Sequence, residues 1–321
     1  MKEGLSRKVF FKACPDYNLE NLCDSIEILL EKYGKTLPKN GSKVLLKPNL
    51  LKPFKPEAAV TTHPSFVEAI IIAGKKRGWN IHVGDSPAIS SVKSVATNTG
   101  LLDILKRHDV ELIALNKAKT YISEGKHFPI AQQLDNYDAI INLPKLKGHQ
   151  QLYMTAAVKN LFGCVPGKRK AMLHLKIGDQ DDGTTFAKML LNTAKEVNPV
   201  INIIDAITSM AGNGPTGGSP CQTGFIGICD DPLSLDLALL KELNGDLQSD
   251  PIYRCLSLSS EFSNSKNYCT EWLGEKPDLS AFYFPTQRQP ISFHPFVIIR
   301  FIFRMLLSKI IKPAHANGKT L

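Results

Sequence analysis

Polar residues able to do chemistry stand directly behind short, largely apolar runs at four places in this chain. Lys47 and Asn49 follow Lys43–Leu46, and Asp85 and Ser86 follow Asn80–Val83. Lys145, Lys147 and His149 follow Ala139–Leu143, and Asp205 follows Val200–Ile204. Such runs read as buried strands. In open parallel sheets ligands bind beyond the carboxyl ends of the strands, so four such ends point to one shared site. The densest chemistry lies between Asp138 and Gly178, which holds seven Lys/Arg and one acid, Asp138. Lys159, Asn160 and His174 also fall within it. Cations gathered where a strand ends and a helix begins suit a carboxylate or a phosphate.

These residue types divide the work. Lys47, Asn49, Lys145 and Lys147 would bind the anion, and Lys159 and Asn160 would position it. His149 or His174 would move a proton, because nearby cations favour neutral imidazole. Asp85 and Asp205 would be the orienting carboxylates. Plainer readings stand beside these. Either acid could cap a turn, a lone histidine could be structural, and Lys168-Arg169-Lys170 reads as a solvated run. The glycine-rich stretch Ala211–Pro220 lacks the lysine and hydroxyl of a P-loop and reads as a flexible lid.

The elements that must position these residues alternate. Amphipathic helices are expected over Asn18–Tyr33 and Ser65–Lys76, the latter with Thr62 as N-cap. Further helices are expected from about Ser91, over Gly100–Arg107, from near Leu152 to near Gly163, and over Thr184–Glu196 and Pro232–Leu240. Strands are expected at Val9–Phe11, Val110–Leu115 and Phe225–Cys229 in addition to the four above. Alternation of this kind predicts an α/β fold with a largely parallel or mixed sheet flanked by helices. Residues 7–245 form the α/β domain, 246–290 an irregular extension, and 291–321 a basic, apolar C-terminal helix and tail.

Charge is local. The chain carries +9 overall, but residues 138–178 contribute +6 and residues 288–321 another +6, leaving −3 for the remainder. That distribution argues against a nucleic-acid surface, which would spread cations along a face. Seven scattered cysteines with no C-x-x-C pair encode neither a zinc ribbon nor a ferredoxin-type cluster, and no metal ligands are assigned. The odd cysteine count and the absence of an apolar leader fit a reducing cytoplasm. In FHPFVIIRFIFRMLLSKIIKP, from Phe293, Arg300 and Arg304 share one narrow helical face and apolar residues cover the rest. That amphipathic pattern suits a helix lying in a membrane interface over 293–311, peripheral on the inner face of the membrane. The alternative is a helix docked on its own domain or on a second subunit of a homo-oligomer.

The chain resembles the domain of unknown function 362 family. The pieces that carry the resemblance are LLKPNLL (45–51), TTHP (61–64), GDSP (84–87), NLPKLKGH (142–149), TAAVKNLFG (155–163), Asp205-Ala-Ile with the GNGPTGG loop, and DDPLSLD (230–236). They occur in the family's order and cover roughly residues 7–245. The resemblance implies a fold and a site but no reaction. Many members carry a ferredoxin-like cysteine module, which this chain lacks: Cys255 and Cys269 are too few and too far apart. Lys159, Pro166-Gly167 and His174 also look like the series in nickel-pincer lactate racemases, where the lysine tethers the cofactor and the histidine ligates nickel. The cofactor of this chain stays unknown at this point. The leading expectation is an enzyme or binding protein for a small anionic metabolite, using acid–base chemistry. The alternatives are an iron–sulphur-associated electron-transfer partner, or a membrane-surface scaffold recognising anionic lipid or glycan precursors.

Overall fold

Parallel pairing builds the middle of the sheet. The computed structural model describes residues 7–87, 90–123, 126–167, 170, 173, 180–257 and 266–287. In chain order the described strands are β1 (Arg7–Ala13), β2 (Lys43–Pro48), β3 (Asn80–Asp85), β4 (Glu111–Ala114), β5 (Ala118–Ser123), β6 (Lys126–Ala131), β7 (Ala139–Leu143), β8 (Lys145–His149), β9 (Tyr153–Thr155), β10 (Ile201–Ala211), β11 (Ser219–Cys229) and β12 (Tyr268–Leu273). The main sheet runs β12-β1-β11-β10-β7-β2-β3-β4, with β8 on β10 and β9 on β8. From β10 to β4 the pairs are parallel, and β11 is antiparallel to both β10 and β1. The fold is thus the expected α/β class, with a mostly parallel sheet between helices.

Both faces of the sheet are covered, so its central strands are apolar throughout rather than alternating with polar residues. Along β2, Val44 and Leu46 face one core and Leu45 the other, as the period of two requires. The first core takes in α1 (Leu19–Glu31), α2 (Pro64–Lys76), α3 (Val92–Asn98) and α4 (Leu101–Arg107). Leu22 and Ile26 of α1, and Phe66 and Ile70 of α2, are fully buried there. On the opposite face lie α5 (Ala157–Leu161), α6 (Thr184–Val197), α7 (Pro232–Glu242) and α8 (Pro251–Ser257).

Four local expectations are corrected. Thr62 does not cap α2. His63 does, its Nδ1 accepting from the Ser65 amide at 3.2 Å, with Pro64 at the first helical position. The Thr62 hydroxyl instead donates to the Leu143 carbonyl and accepts from the Asn49 amide, tying β2's exit to β7's. The helix expected from Leu152 begins only at Ala157, because residues 145–155 fold into the β8–β9 hairpin. The stretch Ala211–Pro220 is no lid but the tip of the β10–β11 hairpin. A Cβ on Gly148 would stand 2.3 Å from the Gly212 carbonyl oxygen, and one on Gly214 would stand 2.0 Å from that of Gly148, so the tip is seated on β8. The extension expected to be irregular supplies α8 and β12, which joins the sheet parallel to β1. His174, Lys168, Arg169 and the basic apolar segment 293–311 lie outside the described residues.

Candidate functional site

The carboxyl edge of the central strands gathers the residues singled out above. Lys47 is the penultimate residue of β2 and Asp85 ends β3; their side chains form a buried ion pair at 2.8 Å. The register of β8 on β10 sets Lys145 opposite Asp205, and a second buried pair forms there, also at 2.8 Å. Lys147 lies two residues further along β8 and is 0% exposed. Its Nζ donates to the Val60 carbonyl at 2.9 Å and to Asn49 Oδ1 at 3.3 Å.

Each pair is held by neighbours that fix its geometry. Asp85 Oδ2 accepts from the Leu50 amide at 2.8 Å. Burial pushes this carboxyl's pKa up, but the charges of Lys47 and Lys170 and the two hydrogen bonds outweigh it, so the group lies below its ordinary range. Lys47 starts a one-way chain of amides. Its Nζ donates to Asn160 Oδ1 at 3.4 Å, Asn160 Nδ2 to Asn142 Oδ1 at 2.8 Å, Asn142 Nδ2 to Asn202 Oδ1 at 2.8 Å, and Asn202 Nδ2 to the Cys229 carbonyl at 3.1 Å. Hydrogen bonds aligned this way polarise one another and hold the lysine in place. Asn160 thereby positions Lys47.

Gly163 permits the Lys47–Asp85 pair. A Cβ there would stand 2.2 Å from both Asp85 Oδ1 and Lys47 Nζ, so no larger side chain fits without breaking the pair.

Asp205 serves a second cluster. Its Oδ1 accepts from the Tyr17 hydroxyl at 2.8 Å, and its Oδ2 from the His63 amide at 2.9 Å as well as from Lys145. Lys145 also donates to the Tyr17 oxygen at 2.8 Å. The Tyr17 and His63 rings stack with centroids 3.6 Å apart. Burial, aided by the charge of Lys145, lowers His63 to about 4 against the pull of Asp205, which leaves it neutral at physiological pH.

The histidine expected to move a proton is constrained. His149 Nδ1 accepts from the Gln151 and Leu152 amides at 3.1 and 3.2 Å. Burial, with Lys159 and Lys147 nearby, holds its pKa well below the ordinary value. With Nδ1 engaged by two donors, the ring proton sits on Nε2. In this state His149 offers a hydrogen-bond donor at Nε2. Lys170, expected in a solvated run, is buried. Its Nζ donates to the Ser86 carbonyl and, at 3.3 Å, to that of Gly163. Lys159 is partly buried, its Nζ 4.2 Å from the centre of the Phe162 ring.

Beside Asp85 opens a cavity of about 640 Å³, lined among others by Ser86, Ser91, Asn116 and Gly167. Gly167 donates its amide to Ser86 Oγ at 2.8 Å. Among the described residues no group of three or more His, Cys, Asp or Glu could hold a metal ion, and no helix is long and apolar enough to cross a membrane.

Fold and site together define an α/β protein with a lysine-rich, carboxylate-braced edge at the carboxyl ends of its parallel strands. The family model described as Domain of unknown function (DUF362) matches residues 44–241, and the chain belongs to that family. It is similar to the Thylakoid-associated protein sll1697 of Synechocystis sp., 38% identical over 239 residues, covering 73% of this chain and 74% of the relative. Among solved structures it is similar to the lactate racemase apoprotein of Thermoanaerobacterium thermosaccharolyticum, with a TM-score of 0.45 and 8% identity over 73% of this chain and 56% of that one.

Proposed function

We propose that the protein binds a small anionic metabolite at the carboxyl edge of β2, β3, β7 and β8 and carries out acid–base chemistry on it. One observation carries the reading: among the described residues, four buried lysines (Lys47, Lys145, Lys147 and Lys170) stand with two buried carboxylates, Asp85 and Asp205, at this edge. Buried ammonium groups without counter-charge are costly, so an anionic ligand completes the site. Lys47 and Lys145 are oriented by their aspartates, which is the role given to Asp85 and Asp205. Lys147 is the proton carrier. Burial and the charges of Lys145 and Lys47 lower its pKa to about 7 despite Asp85, where an amine both gives and takes a proton readily. His149 donates from Nε2.

The test is what leaves with the protein. The full chain, purified at low salt and then denatured, should release one anionic compound at a ratio approaching one per chain, identified by mass spectrometry. The Lys47→Ala/Lys147→Ala double variant should release none. Release of an uncharged compound, or equal release from both proteins, would overturn the reading.

A further inference from the structure

We propose that the cavity beyond the carboxyl ends of β3 and β4 is a site for a small oxyanion, an organic phosphate or carboxylate, with Lys93 as its cation and Asn116 as its main neutral donor. This goes beyond the anion reading above: among the described residues Lys93 lines the cavity, and none of the four buried lysines does.

The hydrogen bonds of the lining side chains are one-sided: their acceptors are engaged within the fold, and their donors are left over. Ser86 Oγ accepts from the Gly167 amide at 2.8 Å, and Ser91 Oγ from the Ser94 amide at 3.1 Å. Each hydroxyl keeps its own proton to donate. Asn116 Oδ1 accepts from Gln133 Nε2 at 2.9 Å. The orientation of Gln133 is fixed by its other contacts, since its Oε1 accepts from the Lys117 amide and its Nε2 also donates to the Ala114 carbonyl. The Asn116 amide is therefore fixed as well, and among the described residues its Nδ2 has no acceptor. Main-chain acceptors of the wall are engaged too: the Ser86 carbonyl by Lys170, the Asp85 carbonyl by the Leu115 amide and the Gly167 carbonyl by the Lys170 amide. A wall that offers donors selects a ligand rich in acceptors.

Charge gives the sign. The charged side chains among the described lining residues are Lys93 and Asp85. Asp85 is already matched: Lys47 pairs with its Oδ1 at 2.8 Å, the Leu50 amide donates to its Oδ2, and Oδ1 is closed to solvent. Lys93 is exposed and has no carboxylate partner among the described residues. The cavity therefore presents a net positive charge together with donors, and the ligand that answers both is an oxyanion.

Size and place agree with this. The volume, about 640 Å³, falls in the range of metabolite sites. Pro87, Val92, Leu115 and Pro166 add apolar wall for the carbon body of a ligand. The cavity opens where β3 and β4 end, between the loops that leave them, which is where open parallel sheets bind ligands.

The experiment is calorimetry and nitrogen-15 NMR on the full chain with glycerol 3-phosphate, glycerate and glycerol, which share one carbon body and differ in the charged group. At least one of the two anions should bind about tenfold or more tighter than glycerol, and the tighter of the two identifies the oxyanion. Its binding should shift the Asn116 side-chain amide resonance. Lys93→Ala should weaken it about tenfold or more, and Lys93→Arg should restore most of the loss. Asn116→Asp keeps the acceptor that Gln133 needs and replaces the free donor with a second acceptor, so it should weaken binding at least as much. Failure of both anions to bind, or glycerol binding as tightly as they do, would overturn the proposal. Anion binding that leaves the Asn116 resonance in place and is indifferent to Lys93→Ala and Asn116→Asp would overturn it as well, and would leave the buried-lysine reading standing.

Discussion

Asp205→Ala should unfold at a free energy about 3–5 kcal/mol below that of the unmodified protein, the usual cost of removing one partner from a buried ion pair. Asp205 is fully buried and accepts from Lys145, from the Tyr17 hydroxyl and from the His63 amide. Its removal leaves the Lys145 ammonium without a counter-charge and takes an acceptor from two further donors. Asp205→Asn should lie between, because an amide oxygen still accepts from Tyr17 or His63 while the charge is gone. Urea denaturation followed by circular dichroism reads the difference. A loss under about 1 kcal/mol for Asp205→Ala, the range of an exposed ion pair, would show that solvent reaches Lys145 and that the cluster is not closed.

Lys147→Met should move stability the other way. Lys147 is buried without a carboxylate of its own, and its pKa falls from 10.5 to about 7. A lysine whose pKa is depressed on folding binds its proton more weakly in the folded chain than in the unfolded one. The penalty is therefore full at and below about pH 7, shrinks as pH rises, and vanishes above the unfolded value. Removing the amine relieves on the order of 2–5 kcal/mol at neutral pH. Leaving the Val60 and Asn49 oxygens without that donor returns about 1–2 kcal/mol of it. The variant should be net more stable near pH 7, should lose that advantage by about pH 10, and should no longer release a ligand. Methionine matches lysine in length, so little repacking is needed. Equal or lower stability across the whole range would mean that Lys147 carries no uncompensated charge. A site that stores instability for function predicts this opposition.

Much of the site was legible from residue order alone. Lys47, Asp85, Lys145 and Asp205 each follow a run that forms a strand of the sheet, and parallel topology then brings the four ends to one edge. The groups that brace them were not legible. Tyr17 lies 188 residues from Asp205 and His63 lies 142, in loops whose local sequence carries no sign of the contact. Asn142 and Asn202 did leave a signal that went unused: each is a lone amide inside an apolar strand, and a buried amide must find partners. Lys170 was misread because three basic residues in a row resemble a solvated loop, whereas the fold turns this one inward toward Ser86 and Gly163. The β8–β9 hairpin was hidden by the helix-like sequence around it. Its strand character comes from pairing with β10, a contact some 60 residues away.

The central claim is that Lys147 and Lys170 are buried cations awaiting a negative charge. Carbon-detected NMR of the lysine side chains, titrated with pH in the absence and presence of inorganic phosphate, reads it directly. Without phosphate the two amines should titrate near 7 and 8, well apart from the exposed lysines, and with phosphate Lys147 should move upward while staying below the ordinary lysine value. Two amines that titrate with the exposed lysines, or a Lys147 that does not move when phosphate is added, would contradict the account.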